Sequence, residues 1–139
     1  MSEQLKALAR RSIEMWQSTT PFEPNAVFSP DYINHQEPLA DGGVSSVDLA
    51  GWEAIVKANH AAFPDLRVEI FAQLAESDRV ATHWRFSATQ TGGYEGRPGD
   101  GAKASWSGIQ IDRFDSGRIA ESWVVWDKFT LFEELGLQD

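Results

Sequence analysis

Pro64 divides this 139-residue chain into two parts with different hydrophobic periods. Before it, apolar residues recur at three- and four-residue intervals; after it, they alternate every second residue. A chain that changes period once must form its helices first and its strands afterwards. That order excludes an alternating βαβ layout with a parallel sheet and predicts an α+β domain. Consecutive strands in one run pair most simply as an antiparallel meander. The economical architecture is a strongly curved antiparallel sheet with the helices packed on its concave side, so that the sheet closes around a pocket.

The helical part reads in three pieces. Ser2 to about Ser18 carries Leu5, Leu8, Ala9, Ser12, Met15 and Trp16 on one face and stops at Thr19-Thr20-Pro21. Glu23 to Phe28 predicts a short second helix ended by Ser29-Pro30. Tyr32 to His35 follows as an extended or turn segment, and residues 36–46 read as a loop rich in proline, glycine and acid. Asp48 to Phe63 predicts a long helix with Leu49, Trp52, Val56, Asn59 and Phe63 on its inner face.

Four strands are expected beyond Pro64: Leu66 to Ala75, Arg79 to Thr91, Lys103 to Phe114 and Arg118 to Asp127. Residues 73–78 hold a turn and residues 91–102 a glycine-rich loop that could cover the pocket. A terminal helix starts near Phe129 and ends at Gly136, a cap residue. With Ser116-Gly117 as a two-residue turn, Asp115 pairs with Arg118. Extended inward, that register sets Gln110 opposite Trp123, Gly108 opposite Val125 and Trp106 opposite Asp127. One face would then carry Trp106, Gln110, Trp123 and Asp127, with a gap above Gly108. A bulge or a longer loop would shift the pairing by one residue and undo this set.

Asp127 closes the last strand among aromatic residues. Alternation places it with Trp123 and Val125, where partial exclusion of water would raise its pKa toward the range useful for acid–base work. The alternative is an exposed aspartate that caps the following helix.

Composition narrows the rest. One domain, residues 1–139, is expected, with 42% apolar and 24% charged residues. A net charge of −9 argues against a nucleic-acid or anionic-membrane partner. No apolar run is long enough to span a membrane, and the first twenty residues lack a signal-peptide centre, so a soluble cytoplasmic protein is expected. The absence of cysteine excludes thiolate chemistry and disulfides. Six tryptophans and eight phenylalanines build a large core, line a cavity for a flat apolar ligand, or do both.

The three histidines, His35, His60 and His83, share no metal-ligand spacing, so no metal is expected. His35 sits on a pocket-rim segment and is a candidate ligand contact. His60 reads as a packed or surface residue on its helix, and His83 lies on the face opposite Trp84. The Gly96 to Lys103 stretch lacks the Gly-Lys-Ser/Thr of a phosphate loop and reads as a hairpin loop. Asp112, Asp115 and Glu121 are the further carboxylates near Asp127. Asp115 suits turn chemistry, and Glu121 shares the Asp127 face but lies too far along it for a direct dyad.

The order Tyr32-x-x-His35, Phe63-Pro64-Asp65-Leu66, Asp78-Arg79-Val80-Ala81, Gly117-Arg118-Ile119-x-Glu121-x-Trp123-x-x-x-Asp127 and Leu135-Gly136 resembles the SnoaL-like polyketide cyclase family. That family lies within the nuclear-transport-factor-2-like superfamily. The resemblance implies a cone of curved sheet around helices, assembled as a homodimer or homotetramer. It also implies closure of the last ring of an aromatic polyketide by an intramolecular aldol reaction, without a cofactor. Asp127 stands at the position of the family's general acid–base. Gln90 and Ser122 depart from it, standing where histidine is common.

The resulting expectation is a small cofactor-independent enzyme acting on an apolar carbonyl or polycyclic compound. Asp127 would be its acid–base, Gln110 and His35 its hydrogen-bond donors, and Trp84, Trp106 and Trp123 its walls. Two alternatives stand beside it: a ligand-binding or dimerisation module of the same fold, and an epoxide-hydrolase-like enzyme. The latter needs an Asp–Arg–Asp arrangement for which no motif is present.

Overall fold

A computed structural model describes residues 2–37 and 45–137. Helix α1 (Ser2–Glu14) is followed by a 3-10 turn (Pro24–Ala26) and strands β1 (Phe28–Glu37) and β2 (Ser45–Asp48). Helix α2 (Leu49–Ala62) leads into β3 (Arg67–Glu76), β4 (Arg79–Gln90), β5 (Ala102–Asp115) and β6 (Arg118–Trp126), and α3 (Lys128–Leu135) closes the chain. The strands form one curved, open sheet in the order β2-β1-β6-β5-β4-β3.

The meander β3 to β6 is as expected, each strand within a few residues of its predicted limits, but β1 and β2 lie between the two long helices, so the helices do not all precede the strands. Asp48 caps α2, its side chain accepting the Gly51 N–H at 2.9 Å. Gly136 ends α3 in the left-handed conformation, at φ 73°. Three readings are corrected. The first helix stops at Glu14, with turns rather than helix to Ser18. The segment read as a helix from Glu23 to Phe28 holds only one 3-10 turn, because Pro24 at its start is followed by no amphipathic repeat. Tyr32 to His35 is extended, one of the two alternatives, but it is the middle of a ten-residue strand, β1, which runs parallel to β6 and antiparallel to β2 and was not anticipated as part of the sheet. Among the described residues the sheet therefore has six strands and one parallel pairing. Of the loop expected over 36–46, residues 38–44 lie outside the described residues and both ends are strand.

The β5–β6 hairpin begins in the expected register. Ser116 and Gly117 both take positive φ, 53° and 79°, as a two-residue turn requires, and Asp115 pairs with Arg118. Phe114 pairs with Ile119, but Arg113 pairs with Glu121, so Ala120 is an extra residue on β6. This bulge reverses the facing of all that follows. Gln110 sits opposite Val124, Gly108 opposite Trp126, and Trp123 opposite Ile111. The single face proposed for Trp106, Gln110, Trp123 and Asp127 is thereby split. Trp106 and Gln110 project to the concave side, while Trp123 and Asp127 belong to the convex one.

The concave side buries two apolar clusters. Phe63, Trp84, Phe86, Trp106, Leu131 and Phe132 anchor one of them. Phe28, Tyr32, Trp52, Val56 and Ile119 anchor the other. Trp16 touches both, meeting Phe86 at 5.7 Å and Trp52 at 6.3 Å between ring centroids. Each of these side chains removes a large apolar area from water and contributes on the order of 2 kcal/mol or more.

Candidate functional site

Between the concave face, α1 and α2 lies a cavity of about 410 Å³, in the range of small-molecule sites. Its apolar walls are mostly aromatic: Trp16, Trp52, Trp84, Phe86, Trp106 and Trp126. Trp84 stacks on Phe86 at 4.2 Å, and Trp106 meets Phe86 edge-on at 5.8 Å. Gly108 makes this stacking possible. A Cβ there would lie 2.4 Å from Trp84 Cζ2 and 2.9 Å from Trp126 Cβ. The gap expected above Gly108 is therefore filled by the Trp84 indole. The glycine-rich loop also reaches the cavity, through Gly93, Tyr94 and Glu95. Buried Gln90 holds that loop, donating to the Gly92 and Arg97 carbonyls and accepting from the Arg97 guanidinium.

One wall is polar. Tyr32, Asn34 and Gln36 alternate along β1 and face Gln110 of β5. Gln36 Nε2 donates to Asn34 Oδ1 at 2.6 Å, and Asn34 Nδ2 donates to Tyr32 Oη at 2.8 Å. Behind this wall is Asp112, with no solvent exposure. Its carboxylate accepts the Ser122 hydroxyl and Gln110 Nε2, the latter at 3.1 and 3.2 Å from its two oxygens. Burial pushes the Asp112 carboxyl up to about 7, against the smaller opposing pull of the Ser122 and Gln110 hydrogen bonds. Burial, and then the Asp112 charge, also raises the Tyr32 phenol. A carboxyl group that holds its proton to near neutrality beside an aromatic cavity can supply that proton to bound chemistry.

The predicted site residues divide between the two faces. Trp84, Trp106 and Gln110 line the cavity. His35, Trp123 and Asp127 do not; they lie on the convex side. His35 stacks on Trp123 at 5.6 Å and bridges Glu121 Oε2 at 2.6 Å and Ser46 Oγ at 2.7 Å. Glu121 also accepts from Arg113 at 3.2 Å, and the Arg79 guanidinium lies over the Trp123 ring, 4.9 Å from its centroid. Hydrogen bonds from His35, and then Arg113, hold the Glu121 carboxyl below its usual range. Asp127 is exposed and caps α3, accepting Thr130 N–H at 3.0 Å and the Thr130 hydroxyl at 2.6 Å. His83 is on the convex face, against Phe71, and His60 contacts the Met15 carbonyl. Among the described residues no group of three His, Asp or Glu side chains is arranged to hold a metal.

Tyr32, Asn34, Gln36 and Ser122 were not read as site residues. β1 has no hydrophobic alternation to mark it as a strand, and the bulge at Ala120 hid the inward facing of Ser122. Asp112 did have a signal: it alternates with Trp106, Gly108 and Gln110.

A curved sheet wrapped over helices, with an aromatic cavity on its concave side, defines the nuclear-transport-factor-2-like class. Within it, the chain belongs to the SnoaL-like polyketide cyclase family, whose sequence model matches residues 6–135. It is similar to AclR from Streptomyces galilaeus, described as a candidate hydroxylase: 30% identity, TM-score 0.84, covering 100% of this chain and 85% of that one. A candidate polyketide cyclase from Acidithiobacillus ferrooxidans is 26% identical, with TM-score 0.81 over 98% of this chain and 96% of that one. IdmH from Streptomyces antibioticus, a further candidate cyclase, shares the fold at 23% identity, with TM-score 0.80 and coverage of 96% and 99%. No curated protein matches the chain closely enough to count as a relative. No helix among the described residues is long and apolar enough to cross a membrane.

Proposed function

We propose that this protein is a cofactor-independent acid–base enzyme acting on a flat, apolar carbonyl compound, in reactions of the aldol-cyclisation or isomerisation kind. The single observation that supports it most is the buried, proton-holding Asp112 wired by Gln110 and Ser122 to the polar wall of an aromatic cavity. The aspartate with the acid–base role is thus Asp112 rather than Asp127. Flat rings would stack on the tryptophans, and a carbonyl would meet Tyr32, Asn34 or Gln110. The described lining contains no Lys, Arg or His and one carboxylate, Glu95, which disfavours an anionic ligand.

Deuterium exchange into a bicyclic ketone such as 2-tetralone, followed by NMR, tests this reading. The protein should accelerate exchange; Asp112→Asn should lower the rate by about 100-fold or more, and Asp127→Asn by less than about twofold. The reverse pattern would return the role to Asp127. Binding without exchange in the unmodified protein would favour the second reading, a ligand-binding module. That reading draws support from Asp112 lying behind Gln110 and Ser122 rather than on the cavity surface.

We further propose that two copies pair through the convex face. Phe71, Leu74, Ile109 and Val125 are all about half-exposed or more there, at 48, 73, 51 and 53%. The Arg85–Glu69 pair beside them supplies charges of both signs, as a self-complementary two-fold contact needs. Light scattering should give the mass of a dimer, and Ile109→Glu should give a monomer.

A further inference from the structure

On the convex side, Ser46 of β2, His35 of β1 and Glu121 of β6 form one hydrogen-bonded line. His35 and Ser46 are directly opposite in the antiparallel β1–β2 pair, so both side chains leave the sheet on one face. On the other edge of β1, Trp123 pairs with His35, and Glu121 precedes Trp123 by two residues on the same face. Ser46 Oγ is 2.7 Å from His35 Nδ1, and Glu121 Oε2 is 2.6 Å from His35 Nε2. The ring is held by its stack on Trp123 at 5.6 Å, and the carboxylate by Arg113 Nε, which donates to Glu121 Oε1 at 3.2 Å. Ser46 is fixed in turn by Asp48, two residues on, which ends β2 by capping α2.

The partners set the direction of the hydrogens. An ionised Glu121 can only accept, so His35 carries its hydrogen on Nε2. The neutral imidazole is then bare at Nδ1, and the Ser46 hydroxyl donates to it. A serine directed onto an imidazole, with the imidazole oriented by a carboxylate, is the arrangement that turns a hydroxyl into a nucleophile. The serine sits on Nδ1 and the carboxylate on Nε2, the reverse of the common attachment, but the ring can accept on one nitrogen and donate on the other in either sense. We propose that Ser46, His35 and Glu121 form a second catalytic centre, separate from the aromatic cavity, that transfers acyl groups from small carboxylic esters to water.

The steps balance. Ser46 Oγ attacks the ester carbonyl carbon while its proton passes to His35 Nδ1, and the leaving alcohol or phenol takes that proton as its C–O bond breaks. Water then attacks the acyl-serine and gives a proton to His35, which returns it to Ser46 Oγ as the carboxylic acid departs. Ser46 and His35 are the catalytic residues; Glu121 and Arg113 are positioning residues that act through the ring. A small ester can reach them, because Ser46 is exposed and the His35 side chain is 21% exposed. Among the described residues β2 is an edge strand, so backbone N–H groups on its outer side have no strand partner and are available to a developing oxyanion. The Trp123 ring beside His35 supplies apolar surface for the acyl or aryl part. Ser46 stands outside the apolar patch proposed for pairing, at the opposite edge of the sheet from Phe71 and Leu74 on β3.

A fluorophosphonate probe and p-nitrophenyl acetate test this on the full chain, and neither readout depends on Asp112 or on the carbonyl-compound reading. Peptide mass spectrometry should place the phosphonyl group on Ser46, fluoride having left. Ser46→Ala, a substitution at an exposed edge, should remove both the label and the ester turnover. His35→Gln should slow both by about 100-fold or more. Nuclear magnetic resonance of isotope-labelled histidine at about pH 8 should show the His35 hydrogen on Nε2 alone. Glu121→Gln should mix the two tautomers and slow labelling by about tenfold or more, a pair of changes that a purely structural contact would not produce. Excess 9-fluorenone, a flat ketone suited to the aromatic cavity, should leave both rates unchanged. Absence of label on Ser46, or a label that forms at full rate in His35→Gln, overturns the proposal. So does a His35 ring carrying hydrogens on both nitrogens, which cannot accept the serine proton. Turnover that fluorenone blocks and Ser46→Ala leaves intact belongs to the cavity and also overturns it.

Discussion

Asp112 and Glu121 lie on neighbouring strands, and the two faces of the sheet treat them in opposite ways. Asp112 points to the concave side, meets only neutral groups, and keeps its proton to about 7. Glu121 points to the convex side, meets His35 and Arg113, and is held ionised below its usual range. Desolvation without a cation creates a proton store; partial exposure beside the Arg113 guanidinium and a hydrogen-bonding imidazole creates a clamp between strands. The sign of a carboxylate's contribution therefore follows the face, and each carboxylate can be used to break the comparison.

The largest expected effect is on stability against pH. The unfolded Asp112 ionises near 3.8 and the folded one near 7. Below both values the two states are protonated and nothing is lost. As the pH rises between them, only the unfolded state ionises, and stability falls by up to roughly 4 kcal/mol, then levels above about 7. Asp112→Asn should remove this slope, so urea midpoints of variant and parent should diverge as pH rises. Parallel curves would mean that Asp112 is not a proton store.

Gly108→Ala ranks next, at about 1–3 kcal/mol, because the Trp84 ring cannot yield to a new Cβ at 2.4 Å without leaving its stack on Phe86. Thermal melts measure the cost, and near-ultraviolet dichroism reports the loss of tryptophan order. On the convex side, Asp127→Ala should cost about 1 kcal/mol by removing the α3 cap and leave fluorenone affinity within about twofold. A large loss of affinity would tie the cap to the cavity.

Glu121→Gln should have the smallest effect, under about 1 kcal/mol, weakened further by salt. Its sign is opposite to that of Asp112. The loss is full above the usual glutamate value of 4.5 and fades as the pH falls through the lower folded value. A pH-stability series comparing the two variants sharpens the contrast between the faces.

Much of this was legible from residue order. Caps, turns and periods are local, so the Asp48 cap, the Ser116-Gly117 turn and the strand β4 with alternate residues buried followed from neighbours in the chain. Trp84, Trp106 and Gln110 were placed on the cavity side for the same reason: within an unbroken strand, facing depends only on parity. The resemblance of the Tyr32, Gly117 and Leu135 motifs brought the family into view, yet it did not show that Asp127 lies on the side of the sheet away from the cavity.

Two features were decided only by the tertiary structure. The bulge at Ala120 arises where β5 and β6 must bury both Ile119 and Ser122 on one side, a demand set by the helices and β1 packed there. It moved Trp123 and Asp127 outward and brought Ser122 to Asp112. The parallel pairing of β1 with β6 joins residues almost ninety positions apart, such as His35 with Trp123. A polar strand gains its stability from that distant partner and carries no periodic signal of its own, so Tyr32, Asn34 and Gln36 became a cavity wall only in three dimensions. By itself the sequence determined which segments are helix or strand and which side chains alternate together, because those depend on local sterics and burial. The facing of β6 after its bulge, which turns Asp127 outward and sets Ser122 beside Asp112, depended on long-range packing.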